Sequence, residues 1–389
     1  MAATNRHPGT TGTTPDDRPS ARSDRGSIVL AALALPGLLP TLALAENAPE
    51  HALIQFKTEH YQDSQPGFTR VTIDEPSLYA LLPLGEHWSI EGSGVYDAVS
   101  GASPRYYTAV SGASRLHDKR YAGDVDATYY GARSAFGLSY ARSDENDYLA
   151  NSVSADARFS SQDNNTTFNV GLSAGRDKID PTNQIVRNEH KTTYSGIVGV
   201  TQALSAIDLA QFQVGYSIGR GYFSDPYKLF DNRPRRRESE TASLRWNHHF
   251  AGAGASLRTS YRFYHDSYGI YSHTVDLQWV QPVSESWILT PGLRYYTQNS
   301  AKFYIDPPAD APFPSLPDGI ISSLDQRLSA FGAIAASQKI EWRLSPHWST
   351  DLKGEYYQQR ASFRFIGRGS PGLDRFDYYV IQFGVTYRY

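Results

Sequence analysis

The feature that most constrains this chain is the alternation in its final segment, Asp377 to Tyr389, which reads DYYVIQFGVTYRY. Tyr379, Ile381, Phe383, Val385, Tyr387 and Tyr389 are all apolar or aromatic, whereas Val380, Gln382, Gly384, Thr386 and Arg388 are mostly small or polar. A period of two places the two sets on opposite faces of one strand. The last strand of a water-soluble sandwich would run on into a few polar residues. Here an aromatic closes a wholly apolar face, as in a strand that turns one side to lipid and the other to a polar interior. Phe383, Tyr387 and Tyr389 are the residues of this strand expected to serve as its assembly signal, read by a barrel-assembly machinery.

Composition agrees with that reading. The 27 Tyr, 17 Phe and 6 Trp are residues that suit pleated surfaces and membrane interfaces. Mean hydropathy is −0.48, and beyond the N-terminal region no run reaches the roughly 18 continuous apolar residues that a membrane helix requires. Such a chain crosses a bilayer only as a closed sheet, because every backbone group in lipid needs an internal partner. The lack of Cys excludes a disulfide framework and any thiolate metal or redox centre. A net charge of −3 supplies no general attraction for nucleic acid, and no nucleic-acid partner is expected.

Residues 1–45 are expected to lie outside the fold. Arg18, Arg22 and Arg25 precede the apolar run Ile28 to Ala45, which is broken by Pro36 and Pro40 and ends Ala43-Leu44-Ala45. A basic lead, an apolar core and small residues at the cleavage position make a secretory signal peptide cut after Ala45. The lead is long for a signal, which is compatible with an over-extended start. The short spacing from Ala45 to the next period-two segment leaves no room for an N-terminal plug, so residues 46–389 are expected to form a single barrel.

From His51 to Tyr389 the period-two pattern predicts sixteen strands, with fourteen and eighteen as the neighbouring even counts. Two of these segments, 326–343 and 347–363, are the longest. The joints alternate in length: those near 83–86, 132–133, 161–165, 205–207, 251–254, 282–285 and 344–346 are short, and those between them are often long. Short turns at one end and long loops at the other are the rhythm of an antiparallel transmembrane β-barrel. Three short joints bring Trp88, Trp287 and Trp348 to the start of a strand, where an interfacial aromatic belt would place them.

The faces differ in the same way along many strands. Leu244, Trp246, Leu257, Tyr261, Phe263, Val275, Leu277, Trp279 and Leu293 share one face. The other face carries Asp124, Asp126, Asp156, Arg158, Arg245, Arg258, Arg262, Asp276 and Arg294. Charges of both signs would be costly in a dry core and are ordinary in a hydrated lumen, so this face is expected to line the interior.

Several clusters invite a chemical reading. His248 and His249 are adjacent and fall on opposite faces of a strand, so without a bulge they do not ligate one ion. His265 and Ser267 share a face that is expected to meet lipid. No catalytic, metal or cofactor site is therefore expected. Arg233, Arg235, Arg236 and Arg237 form the densest basic run, and guanidinium groups pair phosphate in a bidentate manner, which suits an anionic solute or lipopolysaccharide. The loop 300–325 holds five prolines with Asp306, Asp310 and Asp318, a stiff segment long enough to fold over the lumen. The words AVSGAS at 98–103 and 109–114 repeat around Pro104, small residues suited to a tight loop.

The stretches SGASPRYY (100–107), DENDY (144–148), GRGYFSDPYK (219–228), NRPRRR (232–237), YRFYHDSYGIYSHTVDLQW (261–279) and LRYYTQNSAKFY (293–304) together resemble the bacterial domain-of-unknown-function family numbered three-five-seven-zero. That resemblance covers most of residues 46–389 and implies a Gram-negative envelope protein of barrel form; it brings no established activity. The expected role is a channel or conduit in the bacterial outer membrane for small polar or charged solutes. The alternatives are a surface-binding or structural barrel acting through its loops, then an outer-membrane enzyme.

Overall fold

The structure, a computed structural model, describes residues 47–102, 115–228, 230–306 and 319–389. The expected signal, the central part of loop 300–325 (residues 307–318) and the second AVSGAS word lie outside the described residues. The first AVSGAS word runs off the end of a strand.

Sixteen strands follow in chain order. They are β1 (Leu53–Gln65), β2 (Phe68–Leu84), β3 (Trp88–Ala102), β4 (Arg115–Gly131), β5 (Ser134–Asp144), β6 (Tyr148–Ser160), β7 (Thr166–Ile179) and β8 (Glu189–Ala203). Then come β9 (Asp208–Gly221), β10 (Arg236–Phe250), β11 (Ala255–Asp266), β12 (Tyr271–Pro282), β13 (Trp287–Gln298), β14 (Phe331–Arg343), β15 (Trp348–Arg360) and β16 (Phe376–Arg388). Each pairs antiparallel with its chain neighbours, and β1 closes on β16 in a register that runs from Leu53↔Arg388 to Ser64↔Asp377. Closure leaves no edge strand, so the backbone is satisfied without water, as a bilayer demands. Among the described residues no helix is long and apolar enough to cross a membrane.

Two predicted strands are shorter than their apolar patterns. β14 begins at Phe331 because Gln326–Leu328 forms a 3-10 turn, with the carboxylate of Asp325 accepting from the Arg327 backbone N–H at 3.0 Å. β15 stops at Arg360 because Ala361–Phe363 forms a second 3-10 turn. In both places a buried-looking run continues past the sheet because the chain folds over the long-loop mouth.

The register confirms two unlike faces. Leu138, Leu172, Leu244, Leu293, Ile381 and Phe383 all project outward and stay between 44% and 65% exposed, which leaves an apolar outer wall unpartnered. At the short-turn end this wall is edged by indoles: Trp287 stacks on Trp342 at 5.2 Å between ring centres, and Trp348 and Trp88 lie against Tyr387 and Tyr129 at 4.8 and 5.0 Å. Trp246 donates to Asp208 at the start of β9 at 3.0 Å, and Trp279 packs on Phe250. All six Trp thus belong to one rim, the arrangement that an amphipathic belt at a membrane–water interface would have.

Candidate functional site: the lumen and its lid

The pleat carries Asp124, Asp126, Asp156, Arg158, Arg245, Arg258, Arg262, Asp276 and Arg294 to the face opposite the apolar wall. Arg294 pairs with Asp276, its register partner, at 2.5 Å, and Arg158 lies 4.0 Å from Asp156. Arg245 donates to Gln211 at 3.2 Å. The guanidinium of Arg262 sits 5.8 Å from the ring centre of Tyr264. Arg258, Arg262, Gln278 and Arg294 on one side, and Asp156 on another, remain exposed although they point inward. An inward charge with free surface requires water beside it. The short-turn half and the middle of the barrel are therefore wet.

Small residues widen that half. Inward positions of β5 to β9 include Gly137, Gly171, Gly199 and Gly215, and a Cβ on Gly137 would stand 2.2 Å from the Asp156 carboxylate. The sequence pattern marks these positions as polar or small. It does not say that several strands in a row lack bulk on the same face.

The long-loop half is closed by a packed lid. Residues 319–330 turn inward and are fastened to the loop 222–235 by two backbone bonds between Asn232 and Ser322, at 2.8 and 3.0 Å. At the centre lies Asp325, 1% exposed. Its carboxylate takes Lys228 at 3.2 Å, Arg233 at 2.5 Å and Arg327, while Arg327 also reaches Asp225 at 3.0 Å. Burial works to raise the pKa of Asp325, but the charges of Arg327, Lys228 and Arg233 outweigh it and hold the carboxyl well below the usual range. Arg233 is kept charged against its own burial by Asp231 and Asp325. The lid reaches across the mouth: Gln326 accepts from Gln65 of β1 at 3.3 Å, and Gln298 of β13 donates to the Arg327 and Ser329 carbonyls at 2.9 and 2.6 Å. Beneath it Tyr268, Ile270, Ala301 and Leu328 form a small apolar core.

The basic run that looks continuous in sequence is divided by the fold. Arg233 belongs to the lid, and Arg237 turns inward to Asp266 at 2.6 Å. Arg235 and Arg236 stay exposed, each against a glutamate, Glu189 and Glu238. The lid's central carboxylate, Asp325, carried no sequence signal; only the pairing of loops 92 residues apart in the chain reveals it.

The histidines do not converge. His248 faces outward, 2.7 Å from Asp208, and His249 faces inward, 3.2 Å from Ser256. His265 stacks on Tyr271, and the Ser267 hydroxyl accepts from the backbone of Glu238. Among the described residues no group of three or more potential ligands could hold a metal ion.

Fold and lumen together define a closed sixteen-stranded β-barrel resembling those of bacterial outer membranes. The chain belongs to the family described as "Protein of unknown function (DUF3570)", whose model matches residues 107–188 and 182–380. No curated protein matches the chain by sequence. Among solved structures it is similar to a bacterial polysaccharide outer membrane secretin, at 10% identity and TM-score 0.50 over 87% of this chain and 98% of that one. It is also matched with the CymD monoaromatic hydrocarbon channel, at 8% identity and TM-score 0.44 over 87% and 89% of the two chains. A FadL homologue of Pseudomonas aeruginosa matches at 11% identity and TM-score 0.40 over 88% and 90%. At these identities the likeness to the secretin is one of fold.

Proposed function

We propose that the protein is a non-enzymatic conduit of the bacterial outer membrane for small polar or charged solutes, gated at its long-loop mouth by the segment 319–330. The observation that carries this reading is the exposure of inward-facing Arg258, Arg262, Arg294 and Asp156. A sixteen-stranded barrel is wide enough to leave an aqueous path, whereas narrow barrels are filled by their own side chains. The lid is polar and held by ion pairs, a form that excludes lipid and admits water when it moves. Arg235 and Arg236 are the members of the basic run placed to meet lipopolysaccharide phosphates or an incoming anion.

The test is single-channel recording of refolded residues 46–389 in planar bilayers, with and without residues 306–318. Deleting 306–318 should raise conductance by slackening the lid. If neither form conducts while both show heat-modifiable gel mobility, the conduit reading fails. One observation then favours a surface-binding barrel: Ile185, Ile320, Ile321, Phe365 and Ile366 stand at least half exposed on the long loops.

A further inference from the structure

The charges lining the barrel are sorted by side. On β1 to β4 the inward face holds Glu59, Glu75, Glu91, Asp124 and Asp126. Glu59 is the direct register partner of Glu75, and Glu91 of Asp126. Like charges set opposite each other across strands destabilise a sheet, so such pairs are not what stability alone would choose. Among the described residues these five carboxylates form no ion pair, whereas Asp63 and Asp97 beside them are taken by Arg70 and Arg120. Among the described residues Lys57 is the one basic side chain of that wall outside those pairs, which leaves the wall rich in carboxylates.

On β10 and β11 the inward face holds Arg245, Arg258 and Arg262. Among the described residues none of the three meets a carboxylate within ion-pair distance; their register partners include Ser260, Asn247, Gln278, Ser243 and Thr274. In the ring of sixteen strands the middle of the acidic group lies between β2 and β3, and that of the basic group between β10 and β11. They are eight strands apart, which is diametrically opposite. The arcs between them neutralise themselves largely by pairing, as in Asp177 with Lys191, Asp276 with Arg294 and Lys353 with Glu355.

We infer that the lumen carries a transverse electric field, from the β10–β11 arginines to the β1–β4 carboxylates, that selects small zwitterionic solutes over uncharged ones of the same size. This rests on the conduit reading. A solute bearing an ammonium and a carboxylate can turn its cation to the acidic wall and its anion to the arginines at once. A low-dielectric wall focuses such a field into the water it encloses. An uncharged polyol gains nothing from either wall.

The test is swelling of proteoliposomes containing refolded residues 46–389, with glutamine and arabinose as probes of nearly equal size, in the full barrel and in the form lacking 306–318. Glutamine should permeate roughly tenfold faster, the lower end of what a focused field adds to an association rate. Arg245→Gln with Arg258→Gln and Arg262→Gln should abolish that preference, leave the arabinose rate unchanged and shift the reversal potential in a KCl gradient toward cation selectivity. Glu59→Gln with Glu75→Gln and Glu91→Gln should shift it toward anions, an independent arm if either triple variant fails to assemble. Equal permeation of the two probes through an open barrel overturns the inference and leaves the conduit standing. Passage of neither probe, with no conductance, overturns both.

Discussion

Arg233 Nη2 lies 2.5 Å from Asp325 Oδ2, and both side chains are almost wholly buried although both belong to loops. Two charges leave water only when the site repays them with further partners, and here Lys228, Arg327, Asp231 and Asp225 complete the set. Asp325→Asn should therefore be far more disruptive than its size suggests. Removing one partner of a buried pair costs roughly 3–5 kcal/mol, because the others stay buried and uncompensated. The lid should loosen while the barrel persists. Limited proteolysis should cut within 319–330 in the variant and not in the parent; equal resistance would show that other contacts hold the lid.

The pH dependence of the lid follows from the same residue. The folded pKa of Asp325 is depressed well below its ordinary value, so its contribution is fully present above the unfolded carboxylate range near 4 and is lost only as pH falls through the lower folded value. Conductance controlled by this lid should be flat from neutral pH down to mild acid and should rise only in strong acid. A step near pH 6 would point to a different titrating group.

The indole rim can be read optically. With all six Trp outward and at one end, emission should be quenched by lipids brominated near the headgroup more than by lipids brominated at the chain end. The stacked pair Trp287 and Trp342 should couple by about 0.5–1.5 kcal/mol in a double-mutant cycle with Ala, the usual worth of an aromatic pair beyond its burial. Additive effects would mean that the rings are held by lipid alone.

Gly221, which ends β9, has φ +131°, and a Cβ there would lie 2.0 Å from the His190 carbonyl oxygen. Only glycine fits both the dihedral and the approach. Gly221→Ala should displace the root of loop 222–235 and with it the partners of Asp325. The same proteolysis of 319–330 as in Asp325→Asn is the expected signature; unchanged resistance would show that the loop root yields locally.

Much of the barrel is legible along the chain because its walls are periodic. Leu244, Trp246 and Tyr261 fall outward on alternation alone, and the joints sort by parity into turns and loops. The lid is not legible, because the pairings of Asp325 with Lys228 and Arg233 and of Gln326 with Gln65 are non-periodic and join segments far apart in sequence. The segment before Phe331 reads as strand from 326 because Leu328 is buried within the lid, 3% exposed, and not against a sheet. The inner face can be read as charged, yet its division into opposed walls needs the closure of β1 on β16, which fixes which strands face each other.

That closing strand allows lipid contact and assembly to be tested separately. Ile381, near the middle of β16 and 50% exposed, pairs with His60 of β1 and Gly354 of β15 on the outward face. Tyr389 lies at the short-turn rim, 78% exposed, with its backbone N–H donating to Ala52 at 3.0 Å. Arginine on the lipid face costs about 2–4 kcal/mol at the bilayer midplane and about 0–1 kcal/mol near the interface. In refolding from urea into lipid vesicles, Ile381→Arg should thus lose roughly 2–4 kcal/mol and Tyr389→Arg little. Arg388→Gln, on the inner face beside Ser349, should lose least. In cells the order should change, with Tyr389→Arg depleting assembled barrel as strongly as Ile381→Arg, because a terminal aromatic read during assembly acts before lipid contact is tested. If the cellular ranking simply follows the refolding energies, Tyr389 is a rim residue and no signal; if Ile381→Arg refolds as well as the parent, the apolar wall does not face lipid.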